Sequence, residues 1–142
     1  MCSFVYPVRL KADHADGGYV VTCRDLPEAI TQADSISEAL REASDCLDEA
    51  IHARMATGRD IPTPSRPRRG ERQVALPVVS ALKAALYSAV RESHLSKREL
   101  ARRLGLDEKE ARRMLDPAHP SKVPALERAL LALGKQVQVS VA

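Results

Sequence analysis

From Phe4 to Leu10 the large apolar side chains Phe4, Tyr6, Val8 and Leu10 occupy alternate positions, the period-two pattern of a half-buried strand. Pro7 falls on the opposite face and has no N–H to donate, which predicts an edge strand or a solvent-side position. His14 to Gly18 ends in two glycines suited to a hairpin turn, and Tyr19, Val21 and Cys23 resume the alternation. After a turn at Asp25-Leu26-Pro27, the run Ala29 to Ala33 predicts a third strand. Ser35 with Glu38 three residues later forms a capping box, and Ile36, Leu40, Ala43, Leu47 and Ile51 recur at helical spacing. A helix from Ile36 to Met55 follows, stopped near Gly58. One amphipathic helix over a three-stranded sheet is a minimal α+β layer pair.

The stretch from Ile61 to Gly70 carries three prolines and no helical period. It predicts a stiff, basic linker over residues 61–72, dividing a front domain (1–60) from a back domain (73–142). Behind it, Leu82, Ala85, Leu86, Ala89 and Val90 predict a helix from Val78 to Glu92, with Pro77 at its start. Ser96 and Glu99 form a second capping box, opening a helix through Leu100, Ala101 and Leu104 that stops at Gly105. Asp107 caps the next helix, which turns Ala111, Met114 and Leu115 inward and ends at Asp116-Pro117. A further helix spans Val123 to Leu133. Val137, Val139 and Val141 then alternate with Gln136, Gln138 and Ser140, which predicts a terminal strand; the extended-looking Gln73 to Leu76 lies just outside the helices.

Composition changes this picture in two ways. With 3% aromatic residues and no Trp, the core must be built from Ala, Val, Leu and Ile. The net charge of +3 hides a division: residues 1–64 hold 6 Lys+Arg against 11 Asp+Glu, whereas residues 76–142 hold 12 against 7. An acidic front and a basic back predict different partners, the back one a polyanion. Several classes are set aside. No apolar run approaches the roughly 20 residues of a membrane span, and Met1 to Leu10 does not read as a signal peptide, so a cytoplasmic protein with no membrane partner is expected. Cys2, Cys23 and Cys46 are odd in number and lack metal-ligand spacing, so they are expected as reduced, partly buried thiols. His14, His52, His94 and His119 form no His-x-x-x-His pair; neither a metal nor another cofactor is expected.

The chemistry concentrates between Ser96 and Leu115. Two short helices meet at a tight turn with Gly105 at its bend; Ala101 is small where they approach, Leu104 and Leu106 fill the wedge, and Ala111 faces back. That is the construction of a helix-turn-helix. Once the apolar residues turn inward, Glu108, Lys109, Arg112 and Arg113 must point out, and Ser96, Lys97 and Arg98 sit at the exposed start of the preceding helix. The arrangement suits double-stranded DNA, with the second helix in the major groove and Lys97 and Arg98 on phosphate. The front carboxylates Asp13, Asp16, Asp25 and Glu28 fall in turns and at strand ends, which does not suit convergence on a catalytic metal.

Residues 4–60 resemble the HicB-type antitoxin domain. The resemblance rests on Tyr6-Pro7-Val8, Gly17-Gly18-Tyr19-Val20-Val21, Asp25-Leu26-Pro27 and Asp34-Ser35-Ile36-Ser37-Glu38-Ala39-Leu40. Residues 73–142 resemble the helix-turn-helix form of the same family through Leu82 to Tyr87, Glu99 to Gly105 and Leu131 to Lys135. Cys23-Arg24 and Glu28-Ala29 depart from the family pattern on either side of Asp25-Leu26-Pro27. The resemblance implies a partial ribonuclease-H-like front layer and a non-enzymatic antitoxin. Its implied partners are a basic, mRNA-cleaving toxin of the HicA type and the operator of its own promoter, bound as a homodimer or higher homo-oligomer. The acidic front suits such a toxin, and Asp25, Glu28 and Asp34, near the sheet rim, are its candidate contacts. The alternative is a transcription regulator whose front domain senses a small ligand.

Overall fold

The computed structural model describes residues 3–142, so Cys2 lies outside the described part. Its class is α+β, as the periodicities indicate: four strands and five helices. The chain forms two compact units, Met1–Arg54 with Ile61–Pro77, and Met55–Asp60 with Val78–Ala142.

In the first unit, β1 (Val5–Ala12), β2 (Tyr19–Thr22), β3 (Ile30–Ala33) and β4 (Glu71–Ala75) form an antiparallel sheet in the order β3-β2-β1-β4. The β1–β2 hairpin turns at Gly17 and Gly18, both at positive φ. Gly18 has a second reason to be glycine, because a Cβ there would run into the carbonyl oxygen of Ala33. Tyr6, Val8, Val21, Ala33 and Val74 share the buried face, and the stripe Ala39, Ala43, Leu47, Ala50 and Ile51 of helix α1 (Ile36–Ala56) is buried in the same unit. Ser35 caps α1, its Oγ accepting from the Glu38 N–H at 3.2 Å. Cys23 is buried and Cys46 half-buried, both free thiols whose pKa values are pushed up by burial.

Three expectations need correction. The sheet has four strands, not three: β4 pairs with β1 from Val5↔Ala75 to Arg9↔Glu71. The physical reason is that β1 would otherwise expose its ladder groups along that edge, and Val74 and Leu76 supply apolar side chains to cover it. Pro7 accordingly sits in an interior strand and is fully buried. It is tolerated because β2 pairs with β1 only from Arg9 to Ala12, leaving Gln73 of β4 as its one ladder partner. Residues 135–142 form no strand. A strand needs a neighbour's N–H and C=O groups, and the extended segment at 71–75 is taken by β1.

The segment expected as linker is held along the first unit before β4. The Tyr6 hydroxyl donates to the Pro62 carbonyl at 2.7 Å, and the Ser65 N–H and hydroxyl donate to the Asp25 carboxylate at 2.8 and 2.5 Å. Arg24 binds both carboxylate oxygens of Glu71, its Nε 3.0 Å from Oε2. A second donation, from the Arg68 N–H at 2.6 Å, adds to this, and Glu71 is held below its ordinary pKa chiefly by the Arg24 bond.

The second unit packs α2 (Val78–Glu92), α3 (Lys97–Leu104), α4 (Glu108–Leu115) and α5 (Val123–Ala132) around Leu82, Leu86, Val90, Leu100, Ala111, Met114, Leu126 and Leu130. The turn after α1 belongs to it as well. The Tyr87 hydroxyl donates to the Arg59 carbonyl at 2.8 Å, and Arg91 reaches Asp60 at 2.8 Å and the Gly58 carbonyl at 2.9 Å.

Candidate nucleic-acid interface

The site begins with its caps. Ser96, in extended backbone, accepts from the Glu99 N–H at 3.1 Å and starts α3. Gly105 ends that helix at φ 64°, its N–H turned back to the Ala101 and Arg102 carbonyls; this left-handed corner is what glycine is needed for. Asp107 then accepts from the Glu110 N–H at 2.7 Å and starts α4 two residues beyond the corner. Ala101 and Ala111 are buried where the two helices approach, and Leu104 and Leu106 are half-buried against the core. Leu100, fully buried, is a deeper anchor than the Leu104 that the pattern singled out.

All seven residues expected on the nucleic-acid face, Ser96, Lys97, Arg98, Glu108, Lys109, Arg112 and Arg113, are exposed. They are not equivalent. Arg112 is tied to Glu108 one turn back at 3.0 Å, and Arg102 is tied to Glu99 through Nε at 3.2 Å. Lys97, Arg98, Lys109 and Arg113 have no carboxylate partner among the described residues, so their charge is available to an anion without first breaking an ion pair.

The residue that sequence reasoning did not single out is Lys83. It is 2% exposed, and its Nζ donates to the Arg113 carbonyl at 3.2 Å, the Asp116 carbonyl at 2.6 Å and the His119 carbonyl. A helix leaves its last carbonyls without intrahelical donors and carries partial negative charge there. Lys83 therefore secures the C-terminal end of α4 and the turn beyond it from inside the unit. Burial lowers its pKa, partly opposed by the charge of Asp116. A signal existed: Val79, Leu86, Tyr87 and Val90 fall at helical spacings from Lys83, which places a lone amine on an apolar stripe.

Of the front candidates, Asp25 is engaged by Ser65 and Glu28 by Arg54, whose Nε lies at 2.6 Å, while Asp34 is exposed beside the start of α1. The structure thus gives these three carboxylates separate local surroundings rather than one cluster. Asp13 accepts from the N–H groups of Ala15 and Asp16 within its own turn. No helix among the described residues is long and apolar enough to cross a membrane.

Comparison with known proteins identifies a family and several relatives. A family described as the HicB-like antitoxin of bacterial toxin–antitoxin systems matches residues 5–85. The chain is 34% identical over 134 residues to "Antitoxin HicB" of Escherichia coli, covering 94% of this chain and 96% of that one. It is 37% identical over 134 residues to "Antitoxin HicB 2" of Photorhabdus laumondii, covering 94% of each. With "Antitoxin HicB" of Pseudomonas fluorescens it shares 33% identity over 140 residues, covering 98% of this chain and 96% of the relative. A family match across more than half of the chain, together with relatives 33–37% identical that cover 94–98% of it, makes the protein a member of the HicB-like antitoxin family.

Proposed function

We propose that this protein is a cytoplasmic, non-enzymatic antitoxin and autorepressor. The sheet unit neutralises a HicA-type mRNA-cleaving toxin by protein–protein contact, and the helical unit binds operator DNA as a dimer. Family membership supports the antitoxin role. The observation that carries the DNA-binding role is the exposed basic face of α4, with Lys109 and Arg113 unpaired on a helix that is capped at its start by Asp107 and held at its end by Lys83. In this reading α4 enters the major groove, Arg113 and Arg112 read base edges, and Lys97 and Arg98 at the start of α3 meet phosphate. The surplus of Asp+Glu over Lys+Arg in residues 1–64 suits a basic toxin, with Asp25, Glu28 and Asp34 as its candidate rim contacts.

Two titrations test the proposal. The chain is added to a duplex covering the promoter of its own gene and to a scrambled duplex, at two salt concentrations, and separately to the purified toxin in a calorimeter. Preference for the promoter duplex at both salts and saturable toxin binding are expected. Equal affinity for both duplexes removes the repressor role, and no heat with toxin removes the neutralising one.

A further inference from the structure

Residues 136–142 carry an alternation that nothing in the helical unit answers. Val137 packs partly against the helical core, whereas Val139 and Val141 are 84% and 91% exposed. In extended backbone the three valines lie on one face and Gln138 and Ser140 on the other. The unit that contains this segment has no strand among its described residues, so its N–H and C=O groups have no ladder partner there. No side chain from Gln136 to Ala142 carries a charge. These side chains offer nothing to steer a basic or acidic partner.

We propose that this segment pairs antiparallel with the same segment of a second copy of the chain, forming a two-stranded ribbon centred on Val139. The self-complementarity of the sequence argues for that occupant. With Val139 on the twofold axis, Val137 of one copy stands opposite Val141 of the other, and Gln138 stands opposite Ser140. Every valine then meets a valine and Gln138 meets Ser140, with Gln136 opposite Ala142 at the ends of the ribbon. A one-residue slip would break every valine–valine pair, setting valines against Gln138, Ser140 or Ala142. The register also says where the apolar face goes. Because Val137 already touches its own helical core, the Val141 opposite it is carried to that same core from the partner copy. An isolated two-stranded ribbon is marginal in water, and packing its valine face on two helical units is what makes it stable. Leu131 of α5, 65% exposed, extends the apolar surface of each unit.

The inference supplies the twofold contact for the dimer named in the proposed function, but its test does not use DNA. Sedimentation equilibrium of the full chain is compared with that of Val139→Asp, which places two carboxylates face to face on the axis. Wild type is expected at twice the chain mass or a multiple of it. Val139→Asp is expected at half the wild-type mass, with an unchanged helical circular dichroism spectrum. In a background with Cys2, Cys23 and Cys46 changed to Ser, an equimolar mixture of Val137→Cys and Val141→Cys chains should form a mixed disulfide on mild oxidation. A monomeric wild type, a Val139→Asp chain of unchanged mass, or Val137→Cys chains that cross-link only to one another would each overturn the ribbon. Loss of operator preference in a chain that still dimerises through Val139 would remove the repressor role and leave the ribbon standing.

Discussion

The ammonium of Lys83, in the middle of α2, lies 2.6 Å from the carbonyl oxygen of Asp116, the residue that caps the C-terminal end of α4. Two further carbonyls, of Arg113 and His119, converge on the same group. Lys83→Met keeps most of the side-chain volume and removes the donor. It should destabilise the helical unit by about 2–3 kcal/mol, because charge-assisted bonds are lost and carbonyls are left without donors in a buried place. Urea unfolding followed by circular dichroism checks this. A variant within about 0.5 kcal/mol of wild type would mean that the turn after α4 finds other donors.

In the proposed DNA complex, base reading and phosphate attraction should separate by residue. Arg113→Ala should cost roughly 1–3 kcal/mol on the operator and little on scrambled DNA. Lys97→Ala or Arg98→Ala should weaken both duplexes and reduce the salt dependence by about one counterion each. Arg112→Ala is expected to cost less than Arg113→Ala, since Arg112 must first give up Glu108. Leu100→Ala serves as the folding control, because Leu100 is fully buried. Fluorescence anisotropy titrations at two salt concentrations read all five variants. If Lys109, Arg112 and Arg113 are each dispensable for operator preference in a folded chain, α4 is not the reading element.

Toxin binding should reside in residues 1–77. A fragment ending at residue 60 lacks β4 and the carbonyl of Pro62 that the Tyr6 hydroxyl meets, so it leaves one edge of β1 uncovered. Calorimetry with purified toxin should show binding by the 1–77 fragment and markedly weaker binding by 1–60. Binding confined to residues 78–142 would reverse the division of labour.

The Arg24–Glu71 pair predicts an acid dependence. Glu71 has a folded pKa below its ordinary 4.5, so its contribution to stability is complete above that value and is lost as pH falls through the folded pKa. Wild type should therefore be more stable than Glu71→Gln at neutral pH, and the gap should close progressively below pH 4.5. Thermal melts from pH 7 down to pH 3 check the sign. A gap that stays constant across that range would mean that the stabilisation does not come from the ionised form of Glu71.

Much of the fold is legible locally. Ser35, Ser96 and Asp107 each accept from an N–H three residues on, so the starts of α1, α3 and α4 follow from residues within a single turn. Gly105 likewise fixes the corner of the helix-turn-helix, and the outward charges of α4 follow once Ala111 and Met114 are turned in. The pairing of β4 was not legible. Glu71–Ala75 has an extended pattern, but its partner β1 lies more than sixty residues earlier, and an alternating segment carries no mark of which edge it will join.

By itself, then, the sequence determined the class, the helix boundaries to within a residue or so, the family resemblance and the basic face of α4, because each rests on side-chain spacing, caps or charge within a few turns of chain. The tertiary structure decided the fourth strand, the burial of Pro7 inside the sheet, the docking of Pro62 and Ser65 along it, and the role of Lys83. Those features depend on which orphaned N–H, C=O or ammonium groups come within about 3 Å of one another after the chain has closed on itself. That closure brings Lys83 to Asp116 and Asp25 to Ser65, meetings of residues far apart in the chain that no local pattern encodes.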